Sequence, residues 1–441
     1  MSRLEDNLRN NADSGVIPMH MPGHKRNTDF VPSYLREDIT EIDGFDNLHA
    51  PAGVLKDIET DAASIWGASS CVMSVNGATA LLLSALMAAS SRGKILIASN
   101  CHVAVWHALE LIDAPFAVIN PSSSPELPFC LDVSPDMIAS VLDEDPSIKT
   151  VVITTPTYEG VVSDVSSIVS VAHSRDVAVI VDEAHGAHLG LDPYFPVTSK
   201  ADVVVKSIHK TLHAPTQTAL LLTYGDLIGD ELIRHYMDVF ESSSPSYILM
   251  EGIARVVSDL KADSAITSSW VSALKKCRET LGGLNHLKLF SFPGADPSKL
   301  VILTEGVMNG KELAEVLRSK KIEVEASFET HVIAMTGIGD VDAGLEVFAQ
   351  ALLDVDAGLT GAVTSVYRCA MPASPLVLDM QMKKAVQSPS ELVKASESVG
   401  RTSASYCFKY PPGIPLLVPG QQITAERLEL LGVDAVKVVC S

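Results

Sequence analysis

The sequence predicts an α/β fold: a large domain with a mostly parallel sheet, a smaller C-terminal α+β domain and an N-terminal arm. Three observations predict it. From about residue 55 to 225, short apolar runs rich in β-branched residues alternate with helix-like runs, the order that builds parallel βαβ units. Two of those runs, VAVIVD at 177–182 and DVVVKS at 202–207, carry too few polar residues for a strand with one wet face, so they read as buried on both faces. The chain has 441 residues, 47% of them hydrophobic, enough for more than one core.

Residues 1–50 are mixed in character and rich in Asn, His, Pro and Gly, with MHMPGHKRN at 19–27 and DITEIDGFDNLHAP at 38–51. Such a segment is expected to lie as an arm over another surface rather than to supply core. The large domain is placed at 51–285. It opens with helical LKDIETDAASIWG, strand CVMSV, helical TALLLSALMAAS and strand KILIASN. Helical VAVWHALELI, strand PFAVIN, helical SPDMIASVLDE and strand TVVITTP follow. Next come helical SSIVSVAHSR, the two buried strands, strand TALLLTY and helical YILMEGIARVVSDLKAD. The smaller domain is placed at 286–441, with strands near KLVILT, IEVEAS and HVIAMT. YPPGIPLLVPG at 410–420 is expected to be an extended loop stiffened by proline.

The formal charge of −21 argues against nucleic acid or an anionic membrane as partner and leaves a small molecule as the expected one. MSRLEDNLRN has no apolar signal core, and no apolar run is long enough to span a bilayer. Seven cysteines without a CxxC pair suit reduced thiols, so a cytoplasmic location is expected.

The chemistry gathers where strands end. Asp182 closes one buried run, and Lys210 stands just past the other. A charge at such a place is costly unless it is partnered for a task. A lysine and a carboxylate on neighbouring strands suit pyridoxal 5'-phosphate (PLP). The lysine would bond to the cofactor aldehyde as a Schiff base, and the carboxylate would keep the pyridine nitrogen protonated. Gly77, Ala78 and Thr79, between a strand and a long helix, would offer free N–H groups to a phosphate, although alone they read equally as an ordinary turn. His102, after KILIASNC, is placed to cover a ring face. In SIHK, Ser207 would bind phosphate and His209 would stand beside Lys210 as a proton donor. His185 accompanies Asp182 in DEAHGAH. Asp182, Glu183, His185 and His188 also have metal-ligand chemistry, but HExxH is absent and no second cluster completes a site, so no metal is expected. The letters DEAH occur in helicases too, yet the chain lacks a GxxxxGK[ST] loop.

Together these residues resemble the ornithine/lysine/arginine decarboxylase family, PLP enzymes of the aspartate-aminotransferase fold (fold type I). The resemblance runs through MPGHKRN, NGAT at 76–79, NCH at 100–102, PTYEGVVSD at 156–164, DEAHGAH at 182–188, SIHKTL at 207–212, SSPSY at 243–247 and YPPGIPLLVPG. It implies that Lys210 bonds the cofactor, Asp182 pairs with the pyridine nitrogen, His102 stacks on the ring and His209 lies beside the lysine. It further implies Gly77, Ala78, Thr79 and Ser207 around the phosphate, Ser243 reaching the phosphate of a partner subunit, and a homodimer or larger. The implied reaction is decarboxylation of arginine, lysine or ornithine to a polyamine or its precursor. Where Ala78 stands such enzymes tend to carry Ser, at Glu159 an aromatic, and at Ser405 and Gln421 acidic residues. These departures fall where a cationic side chain would be read. An aminotransferase or other lyase on the same scaffold would instead need an arginine for the substrate carboxylate, with Arg368 and Arg401 the candidates. A PLP-binding paralogue without turnover is the third reading.

Overall fold

The computed structural model describes residues 2–341, 343–363, 371–372, 376–409 and 413–440. The chain starts with a helix, α1 (Arg3–Asp13), where only an arm was expected. Ser2 accepts from the Glu5 backbone while the Glu5 side chain returns to the Ser2 N–H, a reciprocal cap. Leu4, Leu8 and Ala12, one turn apart, turn into the core against α2 (Val54–Trp66) and α9 (Tyr247–Ala262).

The expected alternation follows: β1 (Ser70–Ser74), α3 (Gly77–Ala89), β2 (Lys94–Ala98), α4 (Val103–Ile112), β3 (Phe116–Ile119), α5 (Pro135–Glu144) and β4 (Ile148–Thr154). Then come α6 (Val165–His173), β5 (Ala178–Asp182), β6 (Val203–Ser207), the single turn α7 (Ile208–Thr211), β7 (Ala219–Thr223) and α8 (Asp230–Phe240). Among the described residues these strands form one seven-stranded sheet in the order β1-β7-β6-β5-β4-β2-β3. Pairs from β6 through β3 are parallel, and β7 runs antiparallel to both of its neighbours. Every residue of β5, β6 and β7 is buried, as their β-branched and leucine-rich content requires between two helical layers.

After α9 and α10 (Ser268–Leu281) comes an antiparallel sheet of β8 (Lys288–Leu289), β9 (Lys299–Leu303), β10 (Ala326–Ser327) and β11 (His331–Met335), in the order β10-β11-β9-β8. Helices α11 (Gly310–Ser319) and α12 (Gly344–Asp356) accompany it. The strand expected over IEVEAS shrinks to Ala326–Ser327. Ile322 and Val324 pack on the core without ladder partners, so their alternation reflects burial and not pairing. The last part holds α13 (Met382–Gln387), β12 (Ser390–Lys394), β13 (Cys407–Lys409), β14 (Ile414–Leu417), α14 (Ala425–Leu431) and β15 (Ala435–Val439). β12 pairs with β15 and β13 with β14. Ile414–Leu417, expected to be loop, is therefore a strand; residues 410–412 of the same motif lie outside the described residues.

Candidate active site

A cavity of about 540 Å³ opens at the carboxyl ends of β4, β5 and β6, beside the amino ends of α3 and α4. Parallel sheets bind ligands at such edges because strand ends and helix starts converge there. Asp182 ends β5 opposite Val205 of β6, and both Asp182 and Ser207 line the cavity. The chain then turns through α7, which brings His209 and Lys210 to the same space. Side chains alternate along a strand, so Lys206 points the other way and pairs with buried Glu183. Glu183 also accepts from Thr198 Oγ1 (3.1 Å) and the Ser199 N–H (2.9 Å). His188 is held by Asp296 at 3.0 Å, both fully buried. The DEAHGAH motif thus divides: Asp182 and His185 face the cavity, while Glu183 and His188 hold the scaffold.

The opposite wall is the start of α3. Asn76 gives the helix no side-chain cap, and its Nδ2 donates to the Phe240 carbonyl at 3.0 Å. Gly77, in the left-handed region at φ 77°, Ala78 and Thr79 line the cavity. An uncapped helix start has free N–H groups and the positive end of the dipole, and so suits a dianion. Asn100 also lines the cavity, with a buried Oδ1 that has no hydrogen-bond partner among the described residues. Anion cradle, waiting amide oxygen, carboxylate and primary amine all border one space. That set fits a phosphorylated pyridine aldehyde.

Burial shapes the titrating groups. The Lys210 pKa is lowered by desolvation, against which Asp182 and Glu325 pull upward. Its Nζ lies 2.9 Å from His185 Nε2, and Lys299 Nζ lies 2.9 Å from His185 Nδ1. His185 is accordingly pushed well below the usual imidazole range, by burial first and by the two lysines next, and Tyr158 meets its ring edge-on at 5.3 Å. His102 precedes α4 and caps it, its Nδ1 accepting from the Ala104 N–H at 3.2 Å. Burial lowers its pKa while Asp182 opposes. His209 Nδ1 donates to the Thr218 carbonyl at 2.9 Å, so its Nε2 is left for other partners; burial lowers this histidine too. Glu159, in the cavity wall, is pushed up to about 7 by desolvation.

Ser243, expected at the phosphate of a partner subunit, is exposed and outside this chain's own cavity. Gln421 is buried elsewhere, its Oε1 accepting from the Val418 N–H at 3.0 Å, and Ser405 likewise stands apart from the lining. Arg401 is tied to Glu391 at 2.6 Å, and Arg368 lies outside the described residues. The structure adds Asn100, Tyr158 and Gln217 to the wall and Lys299 behind it. Lysine at the head of the apolar run KLVILT was the signal for the last, readable only as a charge that needs a buried partner.

Comparison with known proteins agrees with this geometry. The family model for the Orn/Lys/Arg decarboxylase major domain matches residues 4–296, and the C-terminal domain model of the same family matches 363–432. An arginine decarboxylase of Bacillus subtilis is 28% identical, covering 97% of this chain and 92% of its own. The inducible lysine decarboxylase of Escherichia coli is 20% identical over 91% of this chain and 70% of its own. The crystal structure of the Francisella novicida lysine decarboxylase LdcF superimposes with a TM-score of 0.83 at 16% identity, covering 100% of this chain and 81% of that one. The chain belongs to the Orn/Lys/Arg decarboxylase family, whose members depend on PLP.

Proposed function

We propose that this protein decarboxylates a basic amino acid, arginine foremost, to an amine that is a polyamine or its precursor, and that it works as a cytoplasmic homodimer. One observation carries the reading: Lys210, Asp182, His209 and the uncapped start of α3 surround a single cavity. Arginine is placed first because relatives matching nearly the whole chain at 26–28% identity are named arginine decarboxylases. Among the described residues no helix is long and apolar enough to cross a membrane.

PLP, when bound, would supply an electron-accepting ring. The chain does the rest. Gly77, Ala78, Thr79 and Ser207 would hold the phosphate, and Lys210 is the amine that would hold the aldehyde end. Asp182 would hold a proton on the pyridine nitrogen, and His102 would cover one ring face. Phe129, Ile414 and Leu416 in the wall exclude water, which favours loss of a charged carboxylate as neutral CO2. His209 is neutral at rest, since burial lowers it and its Nδ1–H is committed to Thr218. It therefore takes up a proton at Nε2 before passing one to the substrate Cα. Glu159 is the carboxylate placed to pair with the side-chain cation. The aminotransferase reading loses one candidate, because Arg401 is engaged by Glu391 and the Val439 carbonyl.

The test is release of labelled CO2 from arginine, lysine and ornithine, with and without Lys210→Ala. The variant is expected to lose both the visible absorbance of bound PLP and all turnover. Full activity in Lys210→Ala, or amino transfer to pyruvate in place of CO2 release, rejects the assignment.

A further inference from the structure

The DNLHAP stretch of the N-terminal region lies outside the cavity lining, yet it reaches the back of the phosphate cradle. His49 Nδ1 lies 2.9 Å from Asp238 Oδ1 in α8, and its Nε2 lies 2.8 Å from the Ser242 carbonyl just past that helix. The turn that carries His49 is fixed by Asp46, whose carboxylate accepts from the Asn47, Ala52, Gly53 and Leu55 N–H groups. Tyr247, at the start of α9, donates its hydroxyl to the Asp46 carbonyl at 2.6 Å. Held on its own side, the histidine grips the connection between α8 and α9, and that connection carries the entry to α3. Buried Glu241 accepts from Ser74 Oγ at 2.7 Å and from the Val75 N–H at 3.1 Å, at the end of β1, and from the Ser242 N–H at 3.0 Å. Ser74 Oγ in turn accepts from the Asn76 N–H at 3.0 Å, and the Phe240 carbonyl accepts from Asn76 Nδ2 at 3.0 Å. One chain of hydrogen bonds therefore runs from His49 through Ser242, Glu241 and Ser74 to Asn76, the residue before Gly77.

The ring's two partners settle its charge. A carboxylate oxygen and a backbone carbonyl both only accept, and a neutral imidazole has a single N–H to give. Its other nitrogen would then meet an acceptor lone pair to lone pair, so only the imidazolium satisfies both contacts. Asp238 and Glu241, at the end of α8, are the carboxylates that act on the ring. Arg234, one turn earlier and beside the same small cavity, is engaged by Glu59 of α2 at 2.8 Å and by the Cys71 carbonyl at 3.0 Å. Asp46 is occupied by backbone N–H groups, and residues 242–246 carry no charge. Burial works against a charged ring, but Asp238, the Ser242 carbonyl and Glu241 outweigh it and raise His49 above the usual imidazole range.

We propose that His49 is a positioning residue for the phosphate cradle: as an imidazolium it ties the end of α8 to the N-terminal region and, through Glu241, holds the 74–76 stretch from which the cradle starts. The proposal rests on that cradle taking the PLP phosphate. The clasp is complete while the ring is charged and is lost as pH rises through its midpoint. The full-length apo chain is titrated with PLP from about pH 6 to about 9. Imidazole resonances are followed over the same series, with His49 assigned by its loss in His49→Gln. PLP is expected to bind about threefold to tenfold more weakly above the His49 midpoint, the scale of one net hydrogen bond. Asp238 has a side chain 53% exposed, so its replacement leaves the fold intact. Asp238→Asn is expected to lower the His49 midpoint by about one pH unit and to carry the break in PLP affinity with it. A wild-type midpoint at or below the ordinary imidazole value overturns the proposal, and so does an affinity break that stays in place when the midpoint moves. Should His49→Gln not fold, His49 is the ring whose midpoint falls most in Asp238→Asn, and a series in which none falls overturns the proposal. Amide exchange over residues 74–79 without PLP, taken relative to the intrinsic rate at each pH, is expected to quicken as His49 loses its proton. A chain that shows this coupling yet binds no PLP at any pH loses the proposed function and keeps the clasp, whereas exchange indifferent to His49 overturns the clasp.

Discussion

Glu159 shows how much one residue's surroundings decide. Desolvation lifts its carboxyl to about 7 against the opposing charge of Lys299, so without a bound substrate cation it is only part ionised at neutral pH, and it is neutral in acid. A guanidinium or ammonium bound beside it would restore the charge, and a charge-assisted hydrogen bond of that kind is worth about 1.5–3 kcal/mol. KM for a basic amino acid is therefore expected to climb as pH falls through 7, with kcat moving less. Glu159→Gln is expected to flatten that dependence and raise KM about tenfold or more. Initial-rate kinetics between pH 5.5 and 8.5, about 1.5 units either side of this carboxyl, checks both. A wild-type KM that is level across the range removes Glu159 from the substrate pocket. The linkage to folding has the opposite sense. A carboxyl raised in the folded state contributes stability that is complete below its unfolded pKa and lost as pH rises through the folded one. The Gln variant should consequently gain on wild type in thermal melts above neutral pH.

At the scale of elements, the site depends on a loop supported from behind. Gly252 in α9 faces Pro215, and a Cβ there would lie 2.2 Å from Pro215 Cδ. The same loop carries Thr216 and Gln217 into the cavity and the Thr218 carbonyl to His209. Gly252→Ala must push it forward. The expected result is a stability loss of about 1–3 kcal/mol, as for overpacked cores, with weaker PLP binding in a spectrophotometric titration. Unchanged affinity would show that the loop yields without disturbing the cradle. The βα units were legible in the sequence because their strands are β-branched and buried on both faces, which leaves a signature in composition. Asp182, His102, Ser207, His209 and Lys210 were legible as cavity-lining candidates because each ends or follows such a strand. The rest was hidden for physical reasons. Leu4, Leu8 and Ala12 had helical spacing, but the polar residues around them made the segment read as arm. The β13–β14 pairing joins residues just before the proline-rich motif to residues inside it, with Pro415 within the strand. Lys299 meets His185 only because two sheets come together, and no spacing within one segment encodes that.

At the scale of the whole molecule, the residues after α1 leave apolar side chains in solvent. Ile17 is 78% exposed and Met19 87%, with Val16, Met21, Phe30 and Tyr34 also exposed. If the proposed homodimer forms, a run of this kind is the surface a second copy would cover. Ser243 points the same way: it is exposed on its own chain and outside its own cavity, where a group serving a partner's site would be. The net charge of −21 on each copy opposes association, so apolar burial must outweigh a repulsion that salt screens. Sedimentation is therefore expected to show a homodimer that tightens as ionic strength rises. Ile17→Asp combined with Met19→Asp is expected to shift it toward monomer and, if the partner completes the phosphate site, to weaken PLP binding in step. Ser243→Ala should weaken PLP binding while leaving the dimer intact. A wild-type chain that sediments as a monomer with full turnover would separate the active site from any partner and return Ser243 to the ordinary surface.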